Sequence, residues 1–309
     1  MFNIRCEINL ADNPGISCVR MNPWDASLVG ISTWAGTNEI FETQNGTSKY
    51  KTILNCPQLC FEWISSELYA SGGSDGVITI NGNILGNHSA PISCFSFVPN
   101  SKMLASGSWD GKVKLWDPFS QVCIYEYSTN FKIMCMAYAP PTQIICGCND
   151  KNLLFIDTQN TGNVENRETQ FHYQTRSIAA SENMFAIGVY EGRIMVRERK
   201  QNGHTFGFHV HTKTENDTKV VFPVNSLAFQ PGTGHLATGG SDGVVSIWDL
   251  SRKVKVVSLG DEEGRPFNTS VASLSFSSDG NVLAVAVSYC FEYGDIEHAP
   301  DMLVIYSSV

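Results

Sequence analysis

The chain has 309 residues, of which 42% are hydrophobic, and carries a formal net charge of -9 at pH 7. An acidic chain does not favour a broad DNA, RNA or anionic-membrane surface, and basic partners fit its global field better. Ten cysteines lie mostly in apolar strand-like runs, where a thiol packs as a small hydrophobic group, and the first ten residues do not resemble a secretion signal. We therefore expect an intracellular protein without disulfides or membrane contact.

A hairpin motif recurs along the chain. Its clearest copy runs from Leu104 to Asp117, where two alternating runs flank a Ser-Trp-Asp-Gly turn. The acidic turn residue has counterparts at intervals of 35, 40, 41 and 51 residues, which bracket the period of a four-stranded propeller blade. These turn acids are Asp75, Asp110, Asp150, Glu191 and Asp242.

In chain order, an alternating segment at Phe2–Ile8 comes first and has no local partner, while the last repeat lacks a fourth strand. Joining the two closes a ring and removes its exposed edge. The sequence thus predicts one all-β domain, residues 1–309, folded as a seven-bladed propeller. Residues 200–221 read as an exposed excursion with a long outer strand. The predicted blades are 14–42, 55–82, 88–118, 130–158, 173–199, 222–251, and 268–306 together with 2–8.

The repeated polar residues favour a structural role. His88 precedes Asp110 by 22 residues and Trp116 closes the next strand, so a buried hydrogen-bond network is expected in this blade. Four further residues recur at matching blade positions: Asp75, Asp150, Asp242 and Trp248. Identical acids at equivalent blade positions indicate a structural role. Because the sequence also has no catalytic motif, we expect a protein that is not an enzyme.

No metal or cofactor is expected. His209 and His211 alternate on a strand-like run and would face the same side, as metal ligands must. However, no third or fourth ligand stands at a suitable spacing, so a polar strand is the simpler interpretation.

Four side chains are candidates for binding a partner. Trp34 and Trp109 begin turns in which other copies carry serine, so the hairpin does not require them. They either anchor a peptide or fill gaps between blades. Arg176 and Arg193 lie at the start and at the turn end of blade five. Arginine side chains bind carboxylates or phosphates well, although a lone surface arginine is usually only solvated.

Several stretches resemble the WD-repeat checkpoint family named for budding uninhibited by benzimidazole. They include the Trp109 turn, Tyr173-Gln-Thr-Arg176, Tyr190-Glu-Gly-Arg193 and the tail from Leu283 to Tyr293 followed by Glu297-His298. The resemblance covers most of the chain and is strongest from Arg176 onward.

This resemblance implies a kinetochore adaptor of the spindle-assembly checkpoint, in the nucleus and at kinetochores with a cytoplasmic pool. The partners would be a motif peptide of a checkpoint kinase or pseudokinase and a phosphorylated kinetochore scaffold, bound by a single copy of this chain within hetero-complexes. Arg176 and Arg193 would pair with glutamates of the motif, with Trp34, Trp109 and Tyr173 beside them.

The chain departs from the family where a lysine cluster usually precedes blade six, since it carries Gln201-Asn-Gly-His-Thr205 instead. The substitutes for a phosphopeptide contact are His209, His211 and Lys213. The alternative is the sister family of mRNA-export propellers, which bind a nucleoporin motif and can contact RNA; the acidic charge and Glu297-His298 favour the checkpoint family.

Overall fold

The computed structural model describes residues 2–169, 171, 173–261, 263–292, 294 and 296–308. It contains seven four-stranded antiparallel sheets and one two-stranded sheet. The described residues contain no helix long and apolar enough to cross a membrane. Tyr293, part of the stretch that carries the family resemblance, lies outside the described residues.

Each sheet is one blade, and in six of them four consecutive strands run from the central channel outward. Blades one to three comprise β2 (Ile16–Met21), β3 (Leu28–Thr33), β4 (Thr37–Glu42) and β5 (Ser48–Ile53); β6 (Gln58–Trp63), β7 (Tyr69–Gly73), β8 (Val77–Ile80) and β9 (Asn83–Asn87); β10 (Ile92–Val98), β11 (Met103–Ser108), β12 (Lys112–Asp117) and β13 (Val122–Ser128).

Blades four to six comprise β14 (Ile133–Ala139), β15 (Gln143–Cys148), β16 (Asn152–Asp157) and β17 (Val164–Glu168); β18 (Thr175–Ala180), β19 (Met184–Val189), β20 (Arg193–Glu198) and β21 (Thr205–His209); β24 (Val224–Phe229), β25 (His235–Gly240), β26 (Val245–Asp249) and β27 (Val254–Leu259). Between blades five and six, β22 (Thr212–Glu215) and β23 (Thr218–Val221) form a separate hairpin within the predicted excursion.

The seventh blade joins the two ends of the described chain. Its strands are β28 (Val271–Phe276), β29 (Val282–Val287), β30 (Met302–Ser308) and, on the outside, β1 (Phe2–Asn9). β1 pairs with β30 from Phe2 opposite Ser308 to Asn9 opposite Met302. The predicted closure of a seven-bladed propeller by the N-terminal strand is confirmed.

The predicted blade boundaries are wrong in one respect, because they omit the outer strands of blades one to six. The outer strands have little apolar alternation: β5, for example, is exposed along nearly its whole length. A period-two pattern appears in sequence only where one face is buried, so these strands gave no signal. Five of these strands, β5, β9, β13, β17 and β27, lie in no predicted element, whereas β21 lies in the 200–221 excursion, which was expected to contain an outer strand.

The inner strands position side chains in the channel by a repeated irregularity. In every blade the pairing of the first and second strands shifts register at the second residue of the first strand. This bulge turns one residue per blade toward a channel space of ≈ 240 Å³. The seven bulge residues are Ser17, Leu59, Ser93, Met134, Arg176, Asn225 and Ala272.

Candidate functional site

One end of the propeller, here called the top face, carries the turns between the second and third strands of the blades together with the starts of the first strands. The chain reverses tightly there and needs glycine. Gly111, for example, has φ of 81°, and a Cβ on it would lie 2.5 Å from the Thr129 carbonyl oxygen. The short turns leave the residue just before the acid to project from this face.

Arg176 is the bulge residue of blade five at the top of the channel. Its Nε donates to Asn225 Oδ1 at 2.7 Å, and its Nη1 donates to the Tyr190 hydroxyl at 2.9 Å. The guanidinium also lies 5.0 Å from the centre of the Tyr190 ring. These contacts fix the plane of a partly buried cation before any ligand arrives.

Arg193 follows the turn of the same blade and lies over the ring of Phe171 at 5.4 Å. Its Nε is buried and has no hydrogen-bond partner among the described residues. A buried donor without a partner costs about 1–3 kcal/mol. No acceptor in the described part of the chain therefore satisfies this donor.

The three aromatic side chains named from sequence are exposed on the top face: Trp34 and Tyr173 are each 48% exposed, and Trp109 is 36% exposed. The Lys132 ammonium lies 5.7 Å from the Trp109 ring centre, so this indole is partly covered by a cation. The aromatic residues named from sequence are thus surface groups on the face that also carries both arginines.

The loop after β29 adds groups that sequence reasoning missed. Asn225 Nδ2 donates to the Cys290 Sγ at 3.7 Å and to the Ser241 hydroxyl at 3.0 Å. Burial raises the pKa of Cys290 to about 11, so its thiol stays protonated at neutral pH. The Ser270 hydroxyl donates to one Glu292 oxygen, while the other is buried and has no partner among the described residues. A usable signal existed, since Asn225 occupies the blade position of Arg176.

The three expected phosphopeptide contacts are not equivalent. His211 is fully buried; it bonds Asp242 and Thr238 and is not available to a surface ligand, which corrects that expectation. His209 is exposed, and partial burial followed by the charges of Lys219 and Arg193 lowers its pKa, so it is mainly neutral at physiological pH. Lys213 lies on the β22–β23 hairpin.

His88 forms the network expected in blade three. Its Nδ1 lies 3.1 Å from an Asp110 oxygen and its Nε2 lies 2.7 Å from the Ser106 hydroxyl, which also accepts from Trp116 Nε1 at 2.9 Å. A carboxylate only accepts and an indole only donates, so Nδ1 carries the imidazole proton and Ser106 donates to Nε2. Burial lowers the pKa of His88, which agrees with a neutral ring.

Blade six contains the same network, with His211 in the histidine position. His211 Nδ1 is 2.9 Å from Asp242, and Thr238 stands where blade three has serine and accepts from Trp248 Nε1 at 3.1 Å. Asp75 and Asp150 each accept the backbone N–H two residues ahead, Asp150 also accepts from Asn152 Nδ2, and Asp75 also interacts with the Cys56 thiol. Neither contacts a histidine in the part of the chain that the structure describes.

Comparisons with known proteins also distinguish blades three and six, which have the histidine network, from blades two and four. The WD domain, G-beta repeat model matches residues 82–117 and 209–249, the two stretches that contain the complete networks. A mitotic checkpoint protein bub3 of Dictyostelium discoideum is 30% identical over 97% of this chain and 94% of its own length. The chain belongs to this family of mitotic checkpoint proteins. The Arabidopsis thaliana member is 31% identical over 97% of this chain and 92% of its own length.

Two further similarities place the family among its neighbours. A poly(A)+ RNA export protein of Schizosaccharomyces pombe is 27% identical over 94% of this chain and 87% of its own length. The solved structure of U3-55K superposes with a TM-score of 0.84 over 99% of this chain and 98% of its own, at 16% identity, and supports the propeller fold alone. Among the described residues, no group of three or more His, Cys, Asp or Glu is arranged to hold a metal ion.

Proposed function

We propose that this chain is a non-enzymatic adaptor of the spindle-assembly checkpoint whose top face binds a short acidic-centred motif of a checkpoint kinase or pseudokinase. The observation that carries the proposal is that Arg176 and Arg193 lie on the face that also exposes Trp34, Trp109 and Tyr173, and that the Arg193 Nε has no partner among the described residues. The checkpoint names of the relatives support the role, and the arginines define the ligand chemistry.

The ligand is a peptide with adjacent carboxylates. Arg176 is held rigidly by Asn225 and Tyr190, and Arg193 by the face of Phe171. Preorganised guanidinium forks bind carboxylates in two-point contacts without losing much side-chain entropy. Trp34, Trp109 and Tyr173 then supply apolar contacts around the charged centre.

Phosphorylated kinetochore scaffold repeats are the second class of partner in this proposal. His209 and Lys213 remain as contact candidates, whereas His211 is committed to its network. We place the protein in the nucleus and at kinetochores during mitosis, with a cytoplasmic pool, as a single copy in hetero-complexes.

The test is calorimetric titration with a kinase-derived peptide that contains adjacent glutamates. Arg176→Glu and Arg193→Glu are each expected to weaken binding by about 2–5 kcal/mol if the pair becomes buried on binding. Arg252→Glu is the matched control, because the Arg252 side chain is 80% exposed and pairs only locally with Asp249. Unchanged affinity, whether or not the variant loses thermal stability, would contradict the proposal.

An mRNA-export role is the second candidate, favoured by the relative at 27% identity. A nucleoporin-derived motif peptide and a poly(A) oligonucleotide tested in parallel separate the two. Tight binding of the nucleoporin peptide with no binding of the kinase peptide would transfer the chain to the export role.

A further inference from the structure

The lower half of the central channel, toward the end opposite the top face, is a space of ≈ 280 Å³. Its wall includes one residue from every blade, which stands three positions after the bulge residue and pairs with the second strand at the same register in all seven blades. The turns that contain Pro231 and Ser278 border the same space, so it opens at that end of the propeller.

Two residues of this ring are charged. Blade one has Arg20 at this position and blade two has Glu62, whereas blades three and seven have Ser96 and Ser275, and blades four to six have alanine. The blades with serine or alanine form the same bulge and the same pairing register. The propeller therefore does not require a charge at this position, and the arginine and the glutamate need another explanation.

Arg20 and Glu62 do not satisfy each other's hydrogen bonds. Arg20 Nε lies 3.8 Å from Glu62 Oε2, which is beyond hydrogen-bond distance, and 32% of the Arg20 side chain is exposed. Arg20 Nη1 donates to the Val19 carbonyl oxygen at 3.0 Å, and this bond holds the guanidinium in place. Nε and Nη2 donate no hydrogen bond within the part of the chain that the structure describes, so one edge of the guanidinium is free.

Blade seven supplies a further donor beside blade one. The Ser275 hydroxyl oxygen accepts the Met21 backbone N–H at 2.9 Å. A hydroxyl can accept one hydrogen bond and donate another, and the Ser275 hydroxyl donates to no group among the described residues. The lower channel thus combines a held guanidinium that has one free edge with a free hydroxyl donor on the neighbouring strand.

From this geometry we infer that the lower channel is a binding site for a small monocarboxylate anion, held by Arg20. The two oxygens of a carboxylate match the parallel N–H donors along the Nε–Nη2 edge of a guanidinium. The single negative charge of the ligand balances the one arginine, whereas a phosphate group carries about -1.5 to -2 charge at pH 7. The site goes beyond the proposed top-face function and does not depend on it.

Glu62 makes the affinity of this site depend on pH. Burial raises the pKa of Glu62 to about 7, against the opposing effects of the Arg20 charge and of the hydrogen bond from the Trp63 backbone N–H. When ionised, Glu62 repels a second carboxylate; when protonated, it leaves the Arg20 charge to the ligand. Acidification through pH 7 therefore strengthens binding. The other titratable groups around this pair are Cys18, Cys60, Cys94 and Tyr138.

The experiment is saturation-transfer NMR of the protein with acetate, which stays ionised between pH 6 and 8, and with acetamide, its neutral analogue of similar shape. We expect acetate alone to bind, with an affinity that falls about tenfold from pH 6 to pH 8 as Glu62 ionises. Arg20→Gln should weaken acetate binding at pH 6 by about tenfold or more. Arg252→Gln removes an equal charge from an exposed side chain and should leave the affinity unchanged.

A second variant keeps the test decisive if Arg20→Gln weakens folding, which melting temperatures check. Glu62→Gln removes the ionisable group and should bind acetate at pH 8 as tightly as the wild type binds it at pH 6, a gain that unfolding does not produce. Absence of acetate binding, equal binding of acetamide, or undiminished binding in a folded Arg20→Gln protein would overturn the inference. So would an unchanged pH dependence in Glu62→Gln, or inorganic phosphate that binds as tightly as acetate.

Discussion

Blades three and six differ from blades two and four in what holds the acid at the top turn. In blade three, Asp110 bonds a buried histidine that is tied through Ser106 to Trp116. The His88 backbone N–H donates to the Gly76 carbonyl oxygen of the preceding blade. In blade two, Leu54 makes the same bond to Gly36, so Leu54 stands at the histidine position. In blade four that position is Thr129.

The difference shows that one sequence signature covers two physical situations. The acid and the following glycine are needed for the turn itself, because the carboxylate accepts the next free backbone N–H. The histidine, hydroxyl and tryptophan add a buried network only where all of them are present. Blade two uses a different buried set instead, in which Asn38 donates to Ser71, and Ser71 bonds Thr79.

The largest expected contrast comes from removing the turn acid in both kinds of blade. Asp110→Ala leaves the buried Nδ1–H of His88 unpaired and should lower the free energy of unfolding by about 2–4 kcal/mol. Asp75→Ala removes the bond to an accessible turn N–H and the contact with the Cys56 thiol but leaves no buried histidine unpaired, so it should cost less than about 1 kcal/mol. Urea denaturation measures both, and equal losses would mean that the network adds nothing to the turn.

A smaller effect is expected at the far end of the network. Trp116→Phe removes the Nε1–H bond to Ser106 and should cost about 1–2 kcal/mol. Ile156 in blade four occupies the position of Trp116, since it pairs with Ile144 as Trp116 pairs with Leu104. Ile156→Val is therefore the control for lost packing alone, and should lower the free energy of unfolding by about 0.5–1.5 kcal/mol. A Trp116→Phe protein as stable as the wild type would show that the indole serves packing alone.

Acidification provides a milder test. Burial lowers the pKa of His88 below its unfolded value of about 6.5, so its contribution to stability is present above that pH and is lost as the pH falls through the folded pKa. Melting temperatures between pH 7.5 and 5 should therefore decline, and His88→Gln should decline less steeply. Parallel curves for the two proteins would assign the acid sensitivity to other groups.

The smallest effect is expected at Asp150. An asparagine can still accept the Asn152 backbone N–H, which the carboxylate accepts at 2.8 Å. Asp150→Asn should thus change the free energy of unfolding by no more than about 0.5 kcal/mol. Asp242→Asn in blade six is the comparison, and it should cost more because His211 depends on that carboxylate.

The sequence was informative about the propeller wherever burial imposes a pattern. Strands such as β12 alternate and follow the glycine turn, so the blade number and the ring closure were predictable. Outer strands such as β13 are exposed over much of their length, and their sequence therefore has no required period. This is why the predicted boundaries of blades one to six ended before the outer strand, whereas those of blade seven did not.

The candidate site was predictable only in part, for a related reason. Turn position identified Trp34 and Trp109 because they stand where the hairpin requires no aromatic residue. His211 was expected at the surface because it lies 31 residues before Asp242, a longer spacing than the 22 residues between His88 and Asp110. The excursion before blade six accounts for the longer spacing. Asn225 joins the top face through contacts with blades five and seven, which no local pattern encodes.

The pairing of β1 with β30 also bears on how the protein is made. Phe2 lies opposite Ser308, so this ladder joins residues separated by almost the whole length of the described chain. During synthesis the first strand emerges early and must wait, unpaired, until the last strand has left the ribosome. An unpaired strand and an open seventh blade expose sheet edges in that interval, and exposed sheet edges are prone to aggregate.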